Sequence, residues 1–247
     1  MKAPQFDATT APGTGETAML LPSRNAAPDR SSRPTIAGDD MATFGTSSNV
    51  VCPNRSDIPA IARLAALDPA VQAWAKWLIA DVPRREQIVP RLCMVLVEHA
   101  LRCGQVDMIA DRAAAIWLDR TTTPSAPSGL VPRLAALCGP DAAAVRSRLD
   151  LARTRLPTTT HLYLAVLAAD GGDAAALLAH RNLRLDRVGV TAYARASNLA
   201  DLELLTAAGY EPDERYRLPA GPDVWSMRRL PCGLRSKPSR LWPPDIG

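Results

Sequence analysis

A chain of 247 residues and 26.5 kDa can enclose one sizeable core with room for tails, and its 47% hydrophobic content excludes a wholly disordered protein. Only 4% of residues are aromatic, so alanine and leucine must fill the core, which favours packed helices over a β-sandwich. The basic residues behind the net charge of +4 are nearly all arginine, a pattern that GC-rich codon usage, phosphate contact by guanidinium groups or avoidance of lysine modification would each produce.

Residues 1–57 are rich in Ala, Thr, Ser, Pro and Gly and offer only short apolar clusters such as Met19-Leu20-Leu21. Such a stretch buries too little surface to offset the entropy of ordering it, and a disordered leader is expected. Its first residues do not follow a basic start with a long apolar run, so no Sec-type signal is expected. From Ile58 the pattern turns helical. Ser56 or Asp57 can cap a helix with Pro59 in its first turn, running to Leu67. Asp68-Pro69 breaks it, and a second helix carries the stripe Val71, Trp74, Trp77 and Leu78. Arg63-Leu64-Ala65-Ala66-Leu67-Asp68-Pro69 then returns as Arg133-Leu134-Ala135-Ala136-Leu137-Cys138-Gly139-Pro140. The segments His99–Ile109, Ala168–Leu178 and Ala194–Leu205 share the same grammar of small residues, a Gly or Asn turn and a short helix. Turns marked at Pro69, Gly104, Gly139, Gly172 and Ser197 are spaced by 35, 35, 33 and 25 residues. A period in the low thirties predicts stacked helical hairpins. The longest apolar run, Leu162 to Ala169, falls far short of the roughly 20 residues that cross a bilayer.

Ser197 to Asp213 resembles an ankyrin repeat, aligning without a gap to that family's second helix, with Gly209 as its glycine stop. Asp186-x-x-Gly189-x-Thr191 resembles the family's hairpin tip, and Thr160-His161-Leu162-Tyr163-Leu164-Ala165 its Thr-Pro-Leu-His-x-Ala signature. No unit has a true Thr-Pro-Leu-His. The resemblance is good over 160–213 and weak over 58–157, where tetratricopeptide-type hairpins, or a non-repetitive bundle, are alternatives. The expectation is therefore an all-α fold, an ankyrin-like α-solenoid over 58–218, between the leader 1–57 and an irregular proline-rich basic tail 219–247. In that tail Trp225 would fold over the last hydrophobic edge, or the basic residues Arg228, Arg229, Arg235, Lys237 and Arg240 would bind phosphates or act as a nuclear address.

Chemistry is less legible. The cysteines Cys52, Cys93, Cys103, Cys138 and Cys232 are odd in number and widely spaced, which argues for a reducing compartment over a disulfide framework. Cys93, His99 and Cys103 lack a further ligand pair, so no metal is expected. Gly171-Gly172 stands alone without a phosphate-loop motif, and no cofactor is expected. The ankyrin resemblance implies a non-enzymatic module that binds another protein, with nucleic acid an unlikely partner. Its hairpin tips and exposed positions would supply Arg184, Asp186, Arg187, Glu211, Asp213 and Arg215 as contacts. The leader also resembles those of bacterial type III effectors, which implies a cytoplasmic protein or one exported by a non-Sec route into a host cell. Two alternatives are an enzyme using Cys138 or His161, and a structural or chaperone subunit that packs through the Trp74 and Trp77 edge.

Overall fold

A computed structural model describes residues 49–120 and 129–234, all within one unit, Thr46–Gly247. Most of the expected leader (1–48), the segment 121–128 and the end of the expected tail (235–247) lie outside the described residues. Residues 49–57, counted with the leader from composition, have defined structure. Val51 exchanges backbone hydrogen bonds with Met108 at 2.9 and 3.0 Å. Asn54 and Asp57 form a reciprocal capping box around a 3-10 turn, Arg55–Asp57.

The first helices fall where their caps place them. Helix α1 (Ile58–Leu67) has Pro59 in its first turn and ends at Asp68, whose extended backbone halts it. The Asp68 carboxylate then caps α2 (Pro69–Leu78), accepting from the Val71 N–H at 3.0 Å. Helix α3 (Val82–Cys103) begins at the Asp81 cap and buries Ile88, Val89, Cys93, Val97 and Ala100 along one side. The Trp77 half of the expected Trp74 and Trp77 edge is covered from within the chain. Trp77 is buried and donates its indole N–H to the Pro219 carbonyl at 2.9 Å. A Cβ on Gly221 would come within 2.7 Å of that indole, so only glycine lets the chain cross here.

Beyond Cys103 the solenoid expectation fails. The chain enters a six-stranded mixed sheet in the order β1-β2-β3-β4-β6-β5, and the fold is α/β. Strands β1 (Gly104–Ile109) and β2 (Ala113–Arg120) form an antiparallel hairpin. Gly104 opens β1 because a Cβ there would lie 2.2 Å from the Trp117 carbonyl oxygen. Helices α4 (Leu130–Ala136) and α5 (Ala142–Thr154) follow, then β3 (His161–Ala168), α6 (Gly171–Val188), β4 (Ala192–Ala196), α7 (Leu199–Ala207), β5 (Glu211–Arg217) and β6 (Asp223–Arg229). All neighbouring strands are antiparallel except β3 and β4, which α6 connects in parallel.

Alanine and leucine misled the reading because their helix propensity yields to burial. Ala113 to Trp117 are all fully buried, as a central strand covered on both faces requires. Alternate residues of β2 serve opposite layers. Ala114, Ile116 and Leu118 join the core under α1 and α3, whereas Ala113, Ala115 and Trp117 join the core shared with α6 and α7. The residues matched to an ankyrin signature, Thr160 to Ala165, lead into and form β3. Only the helix ending at Gly209 survives from that resemblance, as α7. The expected tail contributes β6, which pairs with both β4 and β5, and Trp225 lies within it opposite Ala196 and Arg215.

Two ion pairs fix α6 to the sheet. Arg181 grips Asp107 of β1 through two contacts of 2.8 and 2.5 Å, and both residues are buried. Five residues on, near the C-terminal end of α6, Asp186 accepts from the Arg229 guanidinium at 2.7 Å and from the Cys232 N–H at 2.9 Å. Among the described residues no helix is long and apolar enough to cross a membrane. The hydrogen bond from Arg229, foremost, holds the Asp186 carboxyl at about 2, below its ordinary value of 3.8. A depressed carboxyl contributes stability that is complete above the ordinary value and lost as pH falls through the folded one. Asp186→Asn is expected to cost about 1.5–3 kcal/mol at pH 7. Urea melts at pH 7 and pH 2.5 should show that gap narrowing in acid.

Candidate active site

Strand β3 holds one residue more than its neighbour can pair. Ile116 faces Val166 and Trp117 faces Leu164, which leaves Ala165 as a bulge. A bulge bends its strand and sharpens the local twist. On its other side β3 meets β4 only at Leu162 with Ala192 and Tyr163 with Tyr193. Beyond Tyr163 the two strands part, and that edge of β3 has no ladder partner among the described residues.

The gap opens into a cavity of about 640 Å³. Residues Tyr163 to Leu167 of β3 form one wall. Helix α2 supplies Val71, Trp74 and Leu78, α3 supplies Val89, Leu92, Cys93 and Leu96, and α4 and α5 supply Leu130, Leu134, Val145 and Leu149. Most of this lining is aliphatic. Burial pushes the Cys93 thiol up to about 12, so it is no nucleophile at neutral pH.

Charge gathers at the ends. The starts of α2, α6 and α7 all reach the lining, bringing Asp68, Asp170 and Asp201. Burial foremost, then repulsion from Asp201 and Asp170, raises the Asp68 carboxyl above its ordinary value. Burial also raises Asp201, whose carboxylate accepts from the Asn198 side-chain amide at 2.8 Å. Near the paired end of β3 stand Arg120, Arg153 and Arg195. Burial lowers Arg120, and nearby Arg153 adds to that. Arg195 donates to the Ala152 carbonyl at 2.6 Å and lies 5.6 Å from the ring centres of both Trp74 and Tyr163, which ties β4 to α5, α2 and β3.

At the start of α6, Gly171 and Gly172 are the first helical residues, so their N–H groups have no intrahelical acceptor. A Cβ on either would meet nothing within 4 Å, and Gly171 has a φ of +28°. The Asp170 side chain does not cap this helix. Arg112, on the turn between β1 and β2, reaches Asp173 in the same helical turn at 3.1 Å.

None of the residues expected to contact a partner lines this cavity. Arg184 and Arg187 are exposed on α6, where Asp186 is engaged by Arg229. Glu211, Asp213 and Arg215 are exposed on β5, with Arg215 over the Trp225 ring at 4.9 Å. Asp213 borders a separate smaller cavity of about 370 Å³ beside Tyr193. Cys138 and His161, the enzyme alternative's candidates, lie outside the main cavity. Cys138 is fully buried with its thiol raised by burial, and His161 is buried with its imidazole lowered by burial. Among the described residues no group of three or more His, Cys, Asp or Glu could hold a metal ion. Asp68, Asp170 and Asp201 escaped notice because each stands in a helix-starting sequence that reads as punctuation: Asp68-Pro69, Asp170-Gly171-Gly172 and Asn198-x-x-Asp201.

No family model matches the sequence, and no curated protein matches it. Solved structures do. One from Corynebacterium glutamicum, described as histone acetyltransferase HPA2 and related acetyltransferase, aligns over 77% of this chain and 97% of its own, with a TM-score of 0.55 and 20% identity. A second, described as an acetyltransferase, covers 74% of this chain and 99% of its own at 14% identity and a TM-score of 0.42. An agmatine N-acetyltransferase mutant in its apo form covers 73% and 98% at 12% identity and the same TM-score of 0.42. The first of these shows that the described chain has the GNAT acetyltransferase fold. That overturns the ankyrin-like reading and, with it, the argument for a non-enzymatic interaction module, since the described residues form a mixed sheet with helices and no concave stack of hairpins.

The Asp68 carboxyl yields a pH expectation. Because its folded value is raised, ionising it weakens the fold as pH climbs from below 3.8 through that value. Asn keeps a cap acceptor without the charge. Asp68→Asn is therefore expected to melt above the parent at pH 7 and together with it at pH 3, as scanning calorimetry would show.

Proposed function

We propose that the chain is an N-acyltransferase that takes its acyl group from a CoA thioester and passes it to an amine. The observation that carries this reading is the opening between β3 and β4, where a free strand edge runs along an aliphatic cavity. The likeness of fold to an acetyltransferase structure supports it.

The residues present suit such a donor. A pantetheine arm is a narrow chain interrupted by amides, and an unpaired strand edge offers alternating N–H and C=O groups to extended ligands of that kind. Its phosphates need N–H donors and positive potential. The start of α6 offers the free N–H groups of Gly171 and Gly172, room where a side chain would stand, and the positive end of an 18-residue helix. The starts of α2 and α7 point the same polarity at the same lining. Asp68, Asp170 and Asp201 oppose that potential, so phosphate binding should draw protons onto the carboxyls that burial has already raised.

When bound, the thioester supplies an acyl carbon with a good leaving group. The protein's part is to orient it, exclude water and manage charge. The free N–H groups of β3 around the Ala165 bulge are fixed donors for a developing oxyanion. Val71 of α2 and Val89 of α3 add apolar wall that keeps water away. Tyr163, the last β3 residue paired to β4, lines the cavity at the inner end of the free edge, and its hydroxyl can deliver a proton to a departing sulfur.

Purified protein incubated with acetyl-CoA and a panel of primary amines should release free thiol only when an acceptor amine is present. Tyr163→Phe is expected to lower kcat by about 100-fold or more while leaving CoA affinity within about twofold. Calorimetric titration with CoA should show proton uptake and tighter binding as pH falls from 7 toward 4, with Asp201→Asn binding more tightly and less pH-dependently. Absence of both CoA binding and thiol release would remove the proposal.

A further inference from the structure

We infer that the preferred acyl group is a long aliphatic chain rather than acetyl, and that the chamber between α2, α3, α4 and α5 receives it. The inference rests on the acyl-CoA reading above and concerns which donor that same site takes.

An acetyl group ends one methyl beyond its carbonyl. The cavity continues well past the free edge of β3, into a space walled by Leu78, Leu92, Leu96, Leu134, Val145 and Leu149. These residues come from four separate helices, so the chamber is no crease between two elements. It belongs to the same continuous cavity of about 640 Å³ as Tyr163 to Leu167, which puts its contents in line with whatever those strand residues hold.

The lining also selects by polarity. The charged residues of the lining are Asp68, Asp170 and Asp201, at the helix starts, and Arg120, Arg153 and Arg195. Arg195 is committed to the Ala152 carbonyl and to the faces of Trp74 and Tyr163. The six aliphatic residues offer a buried ammonium or hydroxyl no partner, and an unpartnered polar group is costly to bury. An apolar wall gives water no hydrogen-bond partner, and leaving it unfilled forfeits dispersion contacts. An aliphatic chain restores those contacts with no polar demand. Each buried methylene should tighten binding by about fourfold until the chamber is full. The acceptor amine is better served near the carboxylates, where charge complements it.

The test titrates the full-length protein with free CoA and with acetyl-, butyryl-, octanoyl- and lauroyl-CoA, each below the concentration at which it forms micelles. Octanoyl-CoA is expected to bind more than about 100-fold tighter than acetyl-CoA, with turnover following the same order. Leu134→Trp fills the chamber and should abolish that preference while leaving acetyl-CoA affinity within about twofold. Leu149→Phe does the same from the opposite helix and serves if the first variant does not fold, as judged by circular dichroism. Binding of CoA with no gain from acetyl to octanoyl would overturn the long-chain inference and leave the acyltransferase reading in place. Failure of free CoA and of every thioester to bind would instead overturn the donor reading, and this inference with it.

Discussion

Parallel strands share hydrogen bonds only while they bend together, and here β3 cannot follow β4. The extra residue at Ala165 bends β3 against β2, so its ladder with β4 ends after Leu162 and Tyr163. The free strand edge, the cavity over it and the gathering of helix starts at the cavity's mouth all descend from that mismatch. An uninterrupted β3 and β4 would make a closed sheet with no interior to use.

The gap persists because its two sides are anchored independently. Strand β3 is held by β2, whose Ala113 to Trp117 segment is buried on both faces. Strand β4 is held by β6, which β5 completes at the sheet edge. Helix α6 links the two sides and is itself pinned twice, by Arg181 to Asp107 and by Asp186 to Arg229. The fully buried Arg181–Asp107 pair adds little net stability once desolvation is counted, but it penalises any other placement of the helix. Arg195 makes the corresponding link across the cavity, from β4 to the Ala152 carbonyl.

Helix boundaries were the most legible part of the sequence. Pro59, the Asp68-Pro69 break, Asn198 and Gly209 each mark a helix end by local chemistry that needs no tertiary context, and α1, α2 and α7 lie where these residues put them. Strands were hidden for the opposite reason. The alanines of β2 and β4 form strands because they are packed from both sides, which no local pattern announces. The near-constant spacing of turns was real punctuation with the wrong content. Gly104, Gly172 and Ser197 do separate elements, but each has a strand on one side and a helix on the other. A strand followed by a helix and a pair of helices can occupy the same number of residues. The eight-residue run of β3 was the clearest missed signal, since its length suits a buried strand better than a helix. The site was less legible still. It consists largely of backbone and aliphatic surface, and its polar groups, Tyr163, Asp68 and Asp201, converge only through the fold.

Amide hydrogen exchange, read with and without saturating CoA thioester, tests the central claim most directly. If the free edge of β3 holds the donor, protection should appear at Leu164 to Leu167 and at Gly171 and Gly172, while the β5 and β6 amides stay unchanged. Unchanged exchange at Leu164 to Leu167 with protection elsewhere would mean that the divergence of β3 and β4 is not where the ligand binds.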